Sequence, residues 1–413
     1  MEVVCRRCAG IDVSKKDAKV CVRVQGRGSA KTTTTVTTWS STMPQIVKLR
    51  EQLVADGVEL AVVESTSDYW RPLFYILSEA LPVMLVKASD VKGMPGRKTD
   101  VSDAEWLADL AAHGLIRASF VPPEPQRQLR DLTRARVGLF QERTRELQRL
   151  EKELEDACIK LSAVVSDLQG VSARLMLQGL VDHERDPKTL AELAKGRMRP
   201  KVDQLTEALT GRFNDHHRFM VTFRLARIDQ TSADIDALDQ RIDALIDGQG
   251  WAVARDLLVS VHGLGKHGAE DLLAEIGVDM SVFPTPQALA SWVGVAPGSH
   301  ESAGKKHPVA ARPGNRYAKR ALGIAAKSAA RMRNSFLAAR FKRICARRGY
   351  NKALVATQHS MITAIWHMLS TGEYYRDLGG DYYIRRSPQR IIRRKIKDLE
   401  AVGYHVILDP WPA

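Results

Sequence analysis

The stretch CAGIDVSKKDAKVCVRV, residues 8–24, decides how the chain begins to fold. Ile11 and Val13 flank Asp12, a Lys-Lys-Asp turn follows, and Val20, Val22 and Val24 alternate with other residues. Period-two alternation around a polar turn predicts a β-hairpin. It puts Asp12 in mid-strand, on the face opposite Ile11 and Val13. Working outward, the β-branched run TTTTVTT (32–38) predicts a third strand. Residues 44–56 and 69–80 read as helices, and VELAVVES (58–65) as a buried strand ending at Glu64. PVMLVKAS (82–89) reads as a strand, and a helix is expected from about Thr99 to His113. The order β-β-β-α-β-α-β-α predicts a mixed sheet flanked by helices, over residues 1–124.

Beyond the proline-rich VPPEPQ the periodicity changes. Phe140, Leu147, Leu154, Leu161 and Leu168 recur every seven residues, with Leu150, Ala157 and Val164 three after members of that series. Val221, Ile228, Ile235 and Ile242, with Leu238 and Leu245, form a second heptad series. These predict a helical coiled-coil region over 125–250, with a polar insertion near 182–212. Heptad spacing leaves open whether the two series pair with each other or join two subunits. A mainly helical region over 251–375 opens with LLVSVHGLGKHGAEDLLAEIG. Its Gly263-Leu264-Gly265 turn between apolar helical stretches resembles a helix-hairpin-helix, whose backbone N–H groups could approach a phosphate. Residues 376–413 form a basic tail.

Sixty-two Lys and Arg against 48 Asp and Glu give a formal net charge of +14. That balance favours a polyanionic partner, most simply nucleic acid. The charge is uneven. No Asp or Glu occurs from Ser302 to Gly372, while fifteen Lys and Arg lie between Lys305 and Lys352, with Tyr317, Phe336 and Phe341 among them. Lys305, Lys306, Arg312, Arg316, Lys319 and Arg320, with Gly263 and Gly265, are the candidate nucleic-acid contacts. Five scattered cysteines exclude a disulfide framework, and Cys5-Arg-Arg-Cys8 is at most half a zinc site. No apolar run reaches the ~18 residues of a membrane helix. A soluble, cytoplasmic, nucleoid-associated protein is expected.

Four acids remain: Asp12, Glu64, Asp100 and Asp103. The strands carrying Asp12 and Glu64 can be neighbours, and the helix from Thr99 can cross one end of them. Asp100 and Asp103, three apart, would share a helical face. Bare, such a cluster would cost several kcal/mol or take up protons. Two Mg²⁺ or Mn²⁺ ions ~3.5–4 Å apart would remove that cost and could clamp a phosphodiester. The competing reading is ordinary: first-turn helix acids favoured by the macrodipole, and a turn-capping Asp12.

GIDVSKKDAKV, VVESTSDYW and RKTDVSDAEWLADL resemble the three acidic blocks of the insertion-sequence-110 family of transposases. HGLGKHGAEDLLAEIG, FPTPQALASWVGVAPGSHESAGKKH and RPGNRYAKRALGIAA resemble that family's carboxy-terminal domain. The resemblance implies a RuvC-like, RNase H-type amino-terminal domain with a DEDD tetrad at Asp12, Glu64, Asp100 and Asp103. It puts Ser302 on the family's nucleophilic serine, attacking DNA to form a phosphoserine link, with the acids of one subunit serving the serine of another. Chemistry alone does not separate Ser302 from Ser299 and Ser291. The resemblance further implies target and donor DNA, a bridge RNA as guide, and a dimer or tetramer. A Piv-type invertase, a RuvC-like nuclease using water, and a non-catalytic nucleic-acid-binding protein are the alternatives. Where the family often has a glycine after the second-block acid, this chain reads Glu64-Ser65-Thr66-Ser67-Asp68.

Overall fold

The structure is a computed structural model, and it describes residues 2–26, 31–88, 91, 102–298, 301–302, 304–306 and 313–408. The chain divides into two compact units, Met1–Pro122 and Pro123–Ala413.

The first unit is a five-stranded sheet in the order β3-β2-β1-β4-β5. Its strands are β1 (Arg7–Val13), β2 (Asp17–Val24), β3 (Thr33–Ser40), β4 (Leu60–Glu64) and β5 (Val83–Val86). β1, β2 and β3 are antiparallel, whereas β1, β4 and β5 run parallel. Alternation sorts the side chains by face. Ile11, Val13, Val20, Ala61, Val63 and Leu85 face one core with α1 (Met43–Ala55) and α2 (Trp70–Leu77). Cys8, Val62 and Val86 face the other, beneath α3 (Asp103–Ala112). Cys5 and Cys8 are free thiols. Burial pushes Cys8 up to about 12, and its Sγ donates to the Ala108 carbonyl at 3.5 Å. The pair therefore packs as a small apolar group beside α3.

Gly10 sets the distance between sheet and α3. A Cβ at this position would lie 2.1 Å from the Ala104 carbonyl oxygen and 2.4 Å from the Ala108 nitrogen. Only a residue without a side chain lets the helix backbone come this close.

In the second unit, α4 (Glu124–Asp156) and α9 (Asp215–Gly248) pair as an antiparallel hairpin. The antiparallel sense follows from the contacts, since Glu153 meets Arg224 while Arg136 meets Asp239. Val221, Ile228, Ile235 and Ile242 are all buried on α9, as their heptad spacing requires. The first heptad series is interrupted. α4 stops at Asp156, so Leu161 falls on the separate short helix α5 (Leu161–Val164) and Leu168 lies beyond it. The Ala157 carbonyl accepts from Arg212 N at 2.7 Å, and Lys160 N donates to the Ala208 carbonyl at 2.8 Å. These bonds to the 200s segment replace the next turn of α4.

The polar segment near 182–212 is folded into a core. α6 (Val171–Val181), α7 (Pro187–Glu192) and α8 (Val202–Leu209) fold over the end of the hairpin. Leu150, Leu154, Leu177, Leu190, Leu205 and Val221 share one core there. The rest of the unit comprises α10 (Ala252–Val259), α11 (Lys266–Ile276), α12 (Pro286–Val293), α13 (Arg316–Ala329), α14 (Phe336–Arg348) and α15 (Tyr350–Thr371). They pack around Leu258, Leu273, Leu289, Leu322 and Ile362, and the basic tail follows. No described helix is long and apolar enough to cross a membrane.

The close approach at Gly10 makes a stability prediction. Gly10→Val should lower the stability of the first unit by about 3 kcal/mol or more, because the Cβ meets backbone that cannot rotate away. Urea unfolding of the full chain followed by far-ultraviolet circular dichroism should show its earliest transition at clearly lower urea than wild type. An unshifted transition would contradict the packing.

Candidate active site and nucleic-acid interface

β1 and β4 pair in parallel register, with Cys8 opposite Leu60 and Ile11 opposite Val63. Asp12 and Glu64 each lie one residue beyond that last pair, at the same level of adjacent strands. Adjacent strands lie ~4.8 Å apart, so side chains at one level on one face are neighbours. Both residues belong to the face covered by α3. Asp12 follows Gly10 by two positions and Glu64 follows Val62 by two.

α3 runs antiparallel to β1. Near its carboxy-terminal end the Ala112 carbonyl accepts from Val4 N and Cys5 N, its middle meets Cys8, and Ala104 meets Gly10. The next β1 residue on that face is Asp12, and the next residue back along α3 is Asp103 at its first position. Asp12, Glu64 and Asp103 are thus brought from two strands and a helix to one end of one sheet face. Glu64 is 4% exposed, whereas Asp12 and Asp103 are half-buried.

The helix start differs from expectation. Ser102 is an extended N-cap, so α3 begins at Asp103 rather than near Thr99. Asp100 lies outside the described residues. A capping box causes this start. Glu105 N donates to Ser102 Oγ at 3.3 Å, and Ser102 N donates to Glu105 Oε2 at 3.0 Å. Hydrogen bonds from the Ser102 hydroxyl and backbone hold the Glu105 carboxyl below its usual range. The S-x-x-E spacing was the available signal for this cap, and the run of acids around it obscured it. The partial positive charge of the α3 amino terminus faces the carboxylate end of the sheet. The donor set is all oxygen, as a hard divalent cation requires. Asp68, the extra acid of this block, pairs with Arg71 at 3.2 Å on the surface.

In the second unit, Ser302 closes the two-residue strand β6 (Glu301–Ser302). β6 pairs antiparallel with β7 (Lys305–Lys306), Ser302 opposite Lys305 and Glu301 opposite Lys306. Gly304, between them, has φ +74°, a conformation that favours glycine in a tight hairpin. Ser291 is exposed on α12; Ser299 and Arg312 lie outside the described residues.

Arg316, Lys319 and Arg320 occupy the first turns of α13. Asn315 caps this helix, accepting from Tyr317 N and Ala318 N at 3.0 Å, and donates to Glu275 Oε2 at 2.6 Å. Buried Glu275 also accepts from Arg134 Nε and Nη2 at 2.8 and 2.9 Å. It thereby fixes the amino end of α13 to α4. Arg134 lies 4.2 Å from the centre of the Tyr317 ring.

The helix-hairpin-helix reading corresponds to α10, a turn through 260–265, and α11. Its two glycines differ. Gly263 (φ +87°) packs on α13, where a Cβ would lie 2.5 Å from the Ala325 carbonyl. Gly265 caps α11 and has open space around its Cβ position. Beside this turn is a cavity of about 360 Å³, lined by Arg136, Gly265, Lys266, His267 and Arg320 among others. Lys266, Arg320 and the amino terminus of α11 reach it, together with the Asp271 carboxylate that pairs with Arg136.

Arg136 was not anticipated from sequence. Its guanidinium is 1% exposed and donates to Asp239 at 2.6 Å, Glu270 at 2.5 Å and Asp271 at 3.0 Å. Asp239, His267 and Glu270 alone among the described residues have the spacing of a metal cluster. The guanidinium already sits among them, so this is an ion-pair hub that ties α4, α9 and α11 together. Burial raises Glu270 and Asp271 above the usual carboxylate range although Arg136 opposes the shift.

Comparison with known families agrees with this architecture and defines the class. A DEDD-type model described as a transposase matches residues 9–159, and one described as Transposase IS116/IS110/IS902 family matches residues 255–341. The chain belongs to the IS110 family of transposases. DNA cleavage and rejoining is the general activity of that class. No curated protein sequence matches the chain.

The hub generates a prediction. Arg136→Met leaves Glu270 buried without its cation and should destabilise the second unit by about 3–5 kcal/mol at pH 7. Glu270 has a folded-state pKa above its unfolded value, so protonation favours the fold as pH falls. The deficit should therefore shrink between pH 7 and pH 5 in denaturant titrations. A pH-independent deficit would contradict this origin.

Proposed function

We propose that this transposase cuts and rejoins DNA through a covalent phosphoserine intermediate at Ser302, with Asp12, Glu64, Asp100 and Asp103 as a carboxylate tetrad on an RNase H-like (RuvC-like) domain. The observation carrying this reading is the placement of Asp12, Glu64 and Asp103 at the same end of one sheet face. Two of these acids, Asp12 and Glu64, come from strands far apart in the chain, and capped helices do not need such a grouping. Two divalent cations, Mg²⁺ or Mn²⁺, held by the tetrad would neutralise charge on the phosphoryl oxygens during in-line displacement.

The remaining chemistry belongs to the chain. Ser302 Oγ attacks phosphorus and gives up its proton to a base. One ester bond from phosphorus to deoxyribose breaks, and that sugar oxygen leaves as a hydroxyl. Attack by another DNA hydroxyl then breaks the Oγ–P bond, so the number of phosphodiesters is conserved without nucleotide hydrolysis. Lys305, opposite Ser302 in the β6–β7 hairpin, and Lys306 supply positive charge for the phosphorane. The cavity at the α11 turn and the first turns of α13 grip phosphate backbone through Gly265, Arg316, Lys319 and Arg320. Target and donor DNA are chosen through a bridge RNA, and the protein works as a dimer or tetramer. The family membership supports these last two elements by resemblance.

The test uses full-length protein with its co-expressed flanking RNA, Mg²⁺ and a labelled junction substrate. Wild type should form a protein–DNA adduct stable to denaturant. Ser302→Ala and Asp12→Ala should each reduce it at least ~10³-fold, the scale lost when a catalytic unit is broken. Cleavage by Ser302→Ala at the wild-type rate would instead assign the reaction to water.

A further inference from the structure

The basic tail carries features that the family match does not reach, since that match ends at residue 341. Residues 382–397 contain seven Lys and Arg and no acid. They form α16 (Tyr382–Arg386) and α17 (Pro388–Glu400). Three features tie the base of this tail to α14. Asp377 caps α14, accepting from Phe336 N at 3.0 Å and from Gly379 N at 2.7 Å. Gly380 N donates to the Asn334 carbonyl at 3.0 Å, and a Cβ at Gly380 would lie 2.9 Å from the Asn334 Cα. Phe336 packs edge-on against Tyr382 and stacks on Tyr383, while Arg343 lies 4.4 Å over the Tyr383 ring. The tail is therefore built onto α14.

α17 is strongly two-sided. At 100° per residue, Ile392, Ile396 and Leu399 share one side, and Arg393, Arg394 and Lys397 fall on the other. These three cations are exposed, and two acids follow at the end of the helix, Asp398, 3.9 Å from Arg394, and Glu400. α14 presents Lys342, Arg343, Arg347 and Arg348 to solvent, with no acid on that helix. α16 docks on α14, and only Ser387 separates α16 from α17, so the two cationic rows are carried on linked helices. Exposed rows in which cations outnumber acids suit a regular polyanion, and the class of this protein supplies one.

We infer that the α14–α17 surface is a second DNA-binding site, in which α17 holds duplex phosphates away from the bond that is cut. This rests on the reading of the protein as a DNA-acting transposase and adds a separate grip to it. Its contacts are electrostatic and sequence-independent, so they should appear in the salt dependence of affinity.

The experiment measures duplex DNA binding by the full chain across a salt series. The variant Arg393→Gln/Arg394→Gln/Lys397→Gln keeps good helix formers in place. Each phosphate contact contributes about −0.9 to the slope of log affinity against log salt. The variant should lose about two to three from that slope and bind ~10-fold or more weakly near physiological salt. The charge-retaining Arg393→Lys/Arg394→Lys should keep the wild-type slope, which a merely structural role of the arginines would not require. Unchanged slope and affinity in the Gln variant, with wild type still binding, would overturn this inference alone. So would loss of binding on Ile392→Asp with none in the Gln variant, which would make the helix a protein-docking element. Wild type that binds no DNA would overturn this inference and the functional reading together.

Discussion

The backbone contact between β1 and α3 is the constraint from which the candidate active site follows. Gly10 has no side chain, so the carbonyl of Ala104 and the amide of Ala108 can lie where a Cβ would otherwise sit. That contact fixes the depth and the lengthwise position of the helix on the sheet. Once Ala104 lies against Gly10, the first turn of α3 must lie at the end of β1 that carries Asp12. The parallel register of β1 and β4 then puts Glu64 beside Asp12. Positions of the three carboxylates are consequences of packing several residues away, and the apolar face beneath α1 and α2 holds the sheet that supports them.

The second unit solves a different problem. Its helices carry many cations, and like charges brought close would repel unless paired or exposed to a polyanion. Arg134 and Arg136 are paired internally with Glu275, Glu270, Asp271 and Asp239, and these pairs lock α4, α9, α11 and α13. The cations of α13, α14 and α17 largely lack such partners and lie toward solvent. Buried acids thus sort the positive charge into a structural set and a surface set. The surface set is the one proposed above to hold nucleic acid.

Much of the first unit was legible because its signals are local. Alternation in 8–24 gave the hairpin and the face of Asp12, and the apolar run before Glu64 gave the buried strand that ends there. The start of α3 was misjudged by four residues. Ser102 caps the helix through its side chain, a local preference that competes with the acidic pattern around it. In the second unit, heptad spacing identified both long helices but could not say where α4 ends. That end is set by hydrogen bonds from residues 208 and 212, far along the chain. The segment around 182–212 reads as polar because its core residues, Leu190, Leu205 and Leu209, are sparse and meet only after folding. Arg136 was invisible for a related reason: its three partners come from two other helices, and charge on an exposed heptad helix is the usual expectation.

The central claim is that Asp12 and Glu64, with the acid at the start of α3, form one cation-binding pocket. Mn²⁺ binding to the purified full chain, followed by electron paramagnetic resonance of the free ion, tests it without any DNA. Wild type should remove Mn²⁺ from solution at stoichiometric levels. Asp12→Asn and Glu64→Gln should each weaken that binding at least ~10-fold while the circular dichroism stays native. Equal Mn²⁺ binding by all three proteins would contradict the account.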